Sequence, residues 1–200
     1  EAASFPLTFL TAYHMLAGRA DLQRGERAFI WGASGGLGSA GIQIAKHLGA
    51  EVIAAAGTRE DAEKIKAMGA DHVINYRKDN VVERVQELTN GEKVDVVFEN
   101  VGQQTWDTSL AMLAPYGRLV TAGATTGTDV QLNIRDLYRY QHTLLGALMG
   151  TTEEFEKVLK LFEEGKLKPT VDQVFPLEQA ADALKSMEES KQTGKIVLQI

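Results

Sequence analysis

The chain contains no cysteine, which excludes disulfides, thiolate zinc sites and cysteine nucleophiles and removes the redox clue to compartment. No apolar run approaches the ~20 residues that a bilayer span needs. The opening EAASFPLTFLTAYHML lacks the basic start of a leader peptide, so no membrane role and a cytoplasmic location are expected. Positive charge is in deficit: 21 Lys and Arg stand against 27 Asp and Glu, a net charge of −6. That argues against a general nucleic-acid binder, which needs a basic face. The four histidines, at 14, 47, 72 and 142, show no clustered metal spacing. Repeats, low-complexity tracts and long blocks of like charge are absent as well. What remains is an ordinary globular composition, 44% apolar and 24% charged over 200 residues. A chain of that length buries roughly 70% of its unfolded surface.

Short apolar runs alternate with helical patterns. RAFIW (27–31), EVIAAA (51–56), HVIN (72–75), VDVVFE (94–99), GRLVTAG (117–123) and TLLGAL (143–148) are rich in β-branched residues. Most are continuously apolar, as strands covered on both faces are. Helices are predicted over 39–48, 60–68, 81–89, 105–113 and 134–140, several closed by glycine or Asn-Gly. This alternation predicts an α/β fold with a doubly wound parallel sheet. The character changes after Gly150: TTEEFEKVLKLFEEGKL and PLEQAADALKSMEES predict helices and GKIVLQI a last strand. A boundary near residue 150 therefore divides residues 1–150 from residues 151–200.

The stretch FIWGASGGLGSAGIQIAKHLGA (29–50) is strand, glycine turn, helix. In that context the helix's free N–H groups and positive dipole end face the turn, where a diphosphate binds without needing a lysine. Gly35 is expected to let the chain turn, Gly36 to let backbone approach phosphate, and Gly38 to let helix and strand pack closely. Spaced as Gly32-x-x-x-Gly36-x-Gly38, the turn looks like that of short-chain dehydrogenases. Those enzymes also need a Tyr-x-x-x-Lys pair. Four residues beyond Tyr13, Tyr76, Tyr116, Tyr138 and Tyr140 stand Ala17, Asn80, Val120, His142 and Leu144, so that chemistry is missing.

Spaced as Ala33-x-Gly35-x-x-Gly38, the turn resembles the medium-chain dehydrogenase/reductase superfamily, and the resemblance covers essentially the whole chain. PLTFLTAYHML is similar to the helix leading into that family's nucleotide domain, and AMGADHVINY, VDVVFENVG and GRLVTAGATTG to its third, fourth and fifth strand signatures. GKLKPTVDQVFPLEQAADALKSMEESKQTGKIVLQI is similar to its closing segment. The nearest likeness is to bacterial zinc-type alcohol dehydrogenases and quinone oxidoreductases. The resemblance implies a Rossmann dinucleotide-binding domain over residues 1–150. It implies that residues 151–200 complete a GroES-like catalytic domain lying mostly upstream, and the mid-pattern start agrees with that. The implied reaction is hydride transfer between a nicotinamide cofactor and an alcohol, aldehyde, ketone or quinone. Zinc, where used, would be held largely by the upstream domain, and Leu7 stands where the best-known members place a cysteine ligand. No catalytic and no metal-ligating residue is expected within this chain, which by itself should bind cofactor but turn over little. A nucleotide-binding module or sensor without catalysis is the alternative.

The resemblance assigns the diphosphate loop to Ala33, Ser34, Gly35, Gly36, Leu37 and Gly38, and the nicotinamide-side ribose to Asn100 and Val101. Backbone at Ala122, Gly123 and Ala124, and at Ala147 to Met149, would hold the carboxamide. Lys195 would lie near the phosphates, or else be a solvated lysine flanking a last strand. An NAD enzyme places a carboxylate at the end of its second strand. Here Gly57, Thr58 and Arg59 occupy that turn. Arg59 could clamp a 2′-phosphate, with Tyr76 nearby, although Glu60 and Asp61 could equally cap the next helix and leave Arg59 solvated. The charge pattern favours NADP over NAD. Residues 143–148 are expected at a sheet edge, either pairing with a second copy of the chain or covered by the segment after residue 151.

Overall fold

The computed structural model describes residues 2–189 and 192–200. In chain order the elements are α1 (Pro6–Tyr13), β1 (Arg27–Ile30), α2 (Gly36–Leu48), β2 (Glu51–Ala56), α3 (Arg59–Ala67), β3 (His72–Asn75), α4 (Val81–Leu88) and β4 (Val94–Glu99). They continue with α5 (Trp106–Met112), β5 (Leu113–Thr121), α6 (Ile134–Tyr140), β6 (Thr143–Gly146), α7 (Thr152–Glu163), β7 (Val171–Pro176), α8 (Ala180–Glu188) and β8 (Lys195–Gln199). A π-helical turn, His14–Arg19, prolongs α1.

The first six strands form one parallel sheet in the order β3-β2-β1-β4-β5-β6. The continuous apolar runs follow from burial on both faces. Ala28, Ile30, Val52, Ala54 and Phe98 point into a core shared with α1, α2, α3 and α7. Phe29, Trp31, Ile53, Val97 and Leu119 point into the opposite core, closed by α4 and α5. Strand order reverses between β1 and β4. The crevice beyond the carboxyl ends of those two strands is therefore where an open sheet of this kind takes a ligand.

Residues 151–200 are tied to the rest on two sides. Thr151 starts α7 with a capping box: its hydroxyl accepts from the Glu154 N–H while the Glu154 carboxylate accepts from the Thr151 N–H. Phe162 of α7 packs on Phe5 and Phe9, with ring centroids 3.8 and 5.7 Å away, and Glu154 accepts from His14 Nδ1 at 2.9 Å. The other tie is a two-stranded parallel sheet, β7-β8, outside the main sheet. Its β8 begins against the glycine turn, with the Gly194 N–H donating to the Ser34 carbonyl at 2.7 Å.

Several sequence expectations shift at their edges. The helix placed over 39–48 starts at Gly36, because glycines of low intrinsic helix propensity are held in its first turn by packing. The helix placed over 105–113 ends at Met112, and β5 starts at Leu113 rather than 117, through a register irregularity between Val94 and Val96. That strand ends at Thr121 and the next at Gly146, two residues short of each expected end. Strand β7 was not expected, since TVDQVFP lacks a continuous apolar run. The last predicted helix is a 3₁₀ turn, Leu177–Gln179, leading into α8, and residue 190 of its expected span lies outside the described residues.

Candidate functional site

Three glycines shape the end of β1. Gly32 carries the left-handed conformation, φ +57°, so the chain's turn is made there and not at Gly35, whose φ is −77°. The Asn100 side chain lies against Gly32, and its Nδ2 donates to the Trp31 carbonyl at 3.2 Å, closing the gap between β1 and β4. Gly38 permits the close packing expected of it. A Cβ there would come within 2.6 Å of the Gly32 carbonyl carbon and 2.7 Å of Ala33 Cα, and nearer still to the Gly32 oxygen. At Gly36 the nearest neighbour of such a Cβ is Lys195 Cδ, at 2.6 Å. The Lys195 stem thus lies across the turn.

Helix α2 springs from this turn with no side-chain cap at Gly35. As the first amides of a helix, those of Gly36, Leu37 and Gly38 have no carbonyl one turn back to bind. They and the helix dipole favour an anion in the space they face. That space is a cleft of about 930 Å³, large enough for an extended two-headed ligand. It is lined by the whole turn from Trp31 to Gly38, including Ala33, Ser34 and Gly35, and by Tyr76, Asn100, Val101, Ala122, Gly123 and Gln192.

A buried carboxylate fixes the far wall. Glu99, at 0% exposure, accepts from the Val101 N–H at 3.0 Å, from the Gly102 N–H at 3.0 Å and from the Thr105 hydroxyl at 2.6 Å. Next to it, the Thr126 N–H and hydroxyl both donate to the Val101 carbonyl. The loop that carries Asn100 and Val101 is therefore held from both sides. Sequence reasoning missed Glu99, Thr105 and Thr126, and equally Gln192. Only the acidic residue closing an apolar strand could have pointed to any of them.

Of the residues singled out in the sequence, Gly57, Thr58, Arg59, Ala124, Ala147, Met149 and Lys195 do not line this cleft. Gly57 abuts Tyr76, which does. Thr58 is the cap of α3: its oxygen accepts from the Asp61 N–H at 3.0 Å and its hydroxyl donates to the Asp61 carboxylate at 2.7 Å. The Arg59 side chain is 93% exposed and ion-paired with Glu63 at 3.2 Å, one helical turn on. Ala124 lies against Gly102, Ala147 donates its N–H to the Thr121 carbonyl, and Met149, φ +55°, is partly exposed.

Among the described residues no three His, Cys, Asp or Glu side chains gather as metal ligands, and Leu7 is an exposed residue of α1. The donor set among the described residues does not by itself fit a zinc ion. Nor, among those residues, is any helix long and apolar enough to cross a membrane.

Comparison with known proteins agrees with this geometry. Residues 36–164 match the model of the zinc-binding dehydrogenase family. The chain is 36% identical to a quinone oxidoreductase of Pseudomonas aeruginosa, over 99% of its own length and 64% of that protein's. The crystal structure of an NAD-dependent alcohol dehydrogenase superposes with a TM-score of 0.95 at 38% identity, covering 100% of this chain and 58% of the other. The 2-octenoyl-CoA carboxylase reductase CinF, solved with NADP and 2-octenoyl-CoA, superposes with a TM-score of 0.91 at 32% identity, covering 99% and 49%. The chain thus spans less than two thirds of each of these relatives.

Proposed function

Because the chain belongs to the zinc-binding dehydrogenase family, within the medium-chain dehydrogenase/reductase superfamily, we propose that its cleft holds a nicotinamide dinucleotide. In this reading it is the nucleotide-binding part of an NAD(P)-dependent oxidoreductase acting on an alcohol, aldehyde, ketone or quinone. The observation that carries the reading is the start of α2, which has no side-chain cap and opens onto the cleft lined by the turn from Gly32 to Gly38.

The diphosphate sits on the amides of Gly36, Leu37 and Gly38, and the Lys195 stem, which lies against Gly36, brings a cation to the flank of the turn. Asn100 and Val101 position the nicotinamide-side ribose, and backbone at Ala122 and Gly123, the two carboxamide candidates that line the cleft, faces the carboxamide. When bound, the cofactor supplies or accepts the hydride. This chain's residues orient it and exclude water along one side. No catalytic step is assigned to them, so the chain alone binds cofactor and turns over little. NADP is favoured over NAD, as no carboxylate follows β2 at Gly57 and Thr58.

We place residues 1–150 in the dinucleotide-binding unit and residues 151–200 in the segment that also completes the catalytic domain. Half-exposed Val174, Leu184, Met187 and Leu198 offer that domain an apolar face. Strand β6, an edge strand flanked by exposed Ile134, Tyr138 and Leu148, is where a second copy would pair. A single compact monomer in concentrated sedimentation runs would refute that pairing. Calorimetric titration with NADPH and NADH tests the main reading. Saturable binding of one of them, with negligible turnover of quinone or alcohol, is expected; no binding of either refutes it.

A further inference from the structure

The ends of β2 and β3 lie side by side, and what stands over them decides which adenosine ribose is accepted. At Gly57, the first residue past β2, an added Cβ would lie 2.8 Å from Tyr76 Oη and 3.3 Å from Arg77 Nε. Both polar tips therefore converge over a residue with no side chain of its own. The Arg77 guanidinium carbon lies 5.9 Å from the centre of the Tyr76 ring, a cation–π pairing that holds it beside the cleft.

The two arginines of this region differ in what they already bind. Arg59 is committed to Glu63. Arg77 makes no ion pair among the described residues. The nearest acid in sequence, Asp79, turns its carboxylate to the Asn75 N–H at 3.2 Å. The Thr58 hydroxyl is spent on Asp61. What faces Gly57 is thus a guanidinium with unused donors and a phenol, which is a phosphate-binding pair.

We propose that Arg77, with Tyr76, is the specificity residue that grips the 2′-phosphate of NADP over Gly57, and that Arg59 has no part in it. This rests on the reading of the cleft as a dinucleotide site. The guanidinium gives two parallel N–H donors to the phosphate, the Tyr76 hydroxyl gives a third, and the missing side chain at Gly57 gives these two tips room to converge. NADH, whose ribose carries only a hydroxyl there, leaves the fork unused.

The test is calorimetric titration of the whole chain and of its Arg77→Gln, Arg77→Lys and Arg59→Gln variants with NADPH, NADH and adenosine 2′,5′-bisphosphate. Arg77→Gln is expected to weaken NADPH and the bisphosphate by about tenfold or more while leaving NADH unchanged, as loss of a charge-assisted bidentate contact does. Arg77→Lys should recover part of the loss, and Arg59→Gln should change nothing. An unchanged NADPH-to-NADH affinity ratio in Arg77→Gln would overturn the proposal, as would a lost preference in Arg59→Gln. If the parent chain binds no dinucleotide at all, the reading of the cleft fails first. Parent binding with NADH preferred refutes the Arg77 role alone. Thermal melting shows whether each variant is folded.

Discussion

Replacing Gly38 by alanine adds one methyl group where the backbone of the preceding turn already stands. The new Cβ would lie 2.6 Å from the Gly32 carbonyl carbon and 2.7 Å from Ala33 Cα, against about 3.4 Å for ordinary contact. Helix and turn must therefore part by at least roughly 0.8 Å, more to clear the nearer Gly32 oxygen, and no flexible side chain is available to yield instead. Overpacking of this kind costs about 1–3 kcal/mol. In a chain of this size that lowers the melting temperature by roughly 2–12 °C. The same displacement moves the Gly36–Gly38 amides away from the anion they face. An N–H···O bond of about 2.9 Å stretched by that much is no longer one. Losing one bond to a charged acceptor is worth about 1.5–3 kcal/mol, or roughly 10- to 150-fold in affinity. The control is Gly36→Ala, whose Cβ meets the pliable Lys195 stem at 2.6 Å and otherwise only Thr8 Cγ2 at an ordinary 3.4 Å. It should melt within about 2 °C of the parent, because the Lys195 stem can yield, and should keep more of the parent's dinucleotide affinity than Gly38→Ala does. Calorimetry and melting curves on both variants suffice. A Gly38→Ala protein that keeps parental stability and affinity would refute the packing argument.

The other predictions concern the cleft's flank, its far wall and the sheet's distant edge. Lys195→Ala should weaken dinucleotide binding by about two- to fivefold, as a largely solvated charge contact does, with the difference shrinking at high salt in the same titrations. Glu99→Gln puts an amide NH₂ against the N–H and O–H donors that the carboxylate now accepts. It should cost about 1–3 kcal/mol in guanidinium unfolding, and Glu99→Asp, which keeps the charge, should recover part of it. The His142 imidazole is pushed below its ordinary value, first by burial and then by Lys93, against opposing effects of the Ala114 backbone and Asp136. The unfolded chain then takes up its proton first. The contribution of this group is full above about pH 6.5 and is lost as pH falls from there through the lowered folded value. His142→Gln should flatten that part of the stability curve, and an unchanged slope would contradict the assignment.

The sheet was legible because its strands are covered on both faces. Continuous runs such as EVIAAA and VDVVFE are what such burial demands, and their limits agree with β2 and β4 to the residue. The glycine turn was legible because its constraint is local: Gly38 must be small to let α2 pass β1. Strand β7 was hidden because its two-stranded sheet leaves every one of its residues half-buried or exposed, so apolar periodicity is weak. The cations show the same limit. Arg59 and Arg77 are equally plain in sequence, but one is neutralised by Glu63 a turn along its helix while the other is turned over Gly57 by the Tyr76 ring. Glu99 reads as the polar end of a strand until the three donors around it are seen.

The central claim is that unpaired amides at the start of α2 hold a dinucleotide's diphosphate. Amide chemical shifts of the ¹⁵N-labelled chain, followed during titration with NADPH, test it most directly. The largest changes are expected at Gly36, Leu37 and Gly38, with smaller ones at Asn100 to Gly102. Saturating shifts confined to the separate cavity lined by Leu132, Leu137 and His142, with the glycine turn unmoved, would contradict it.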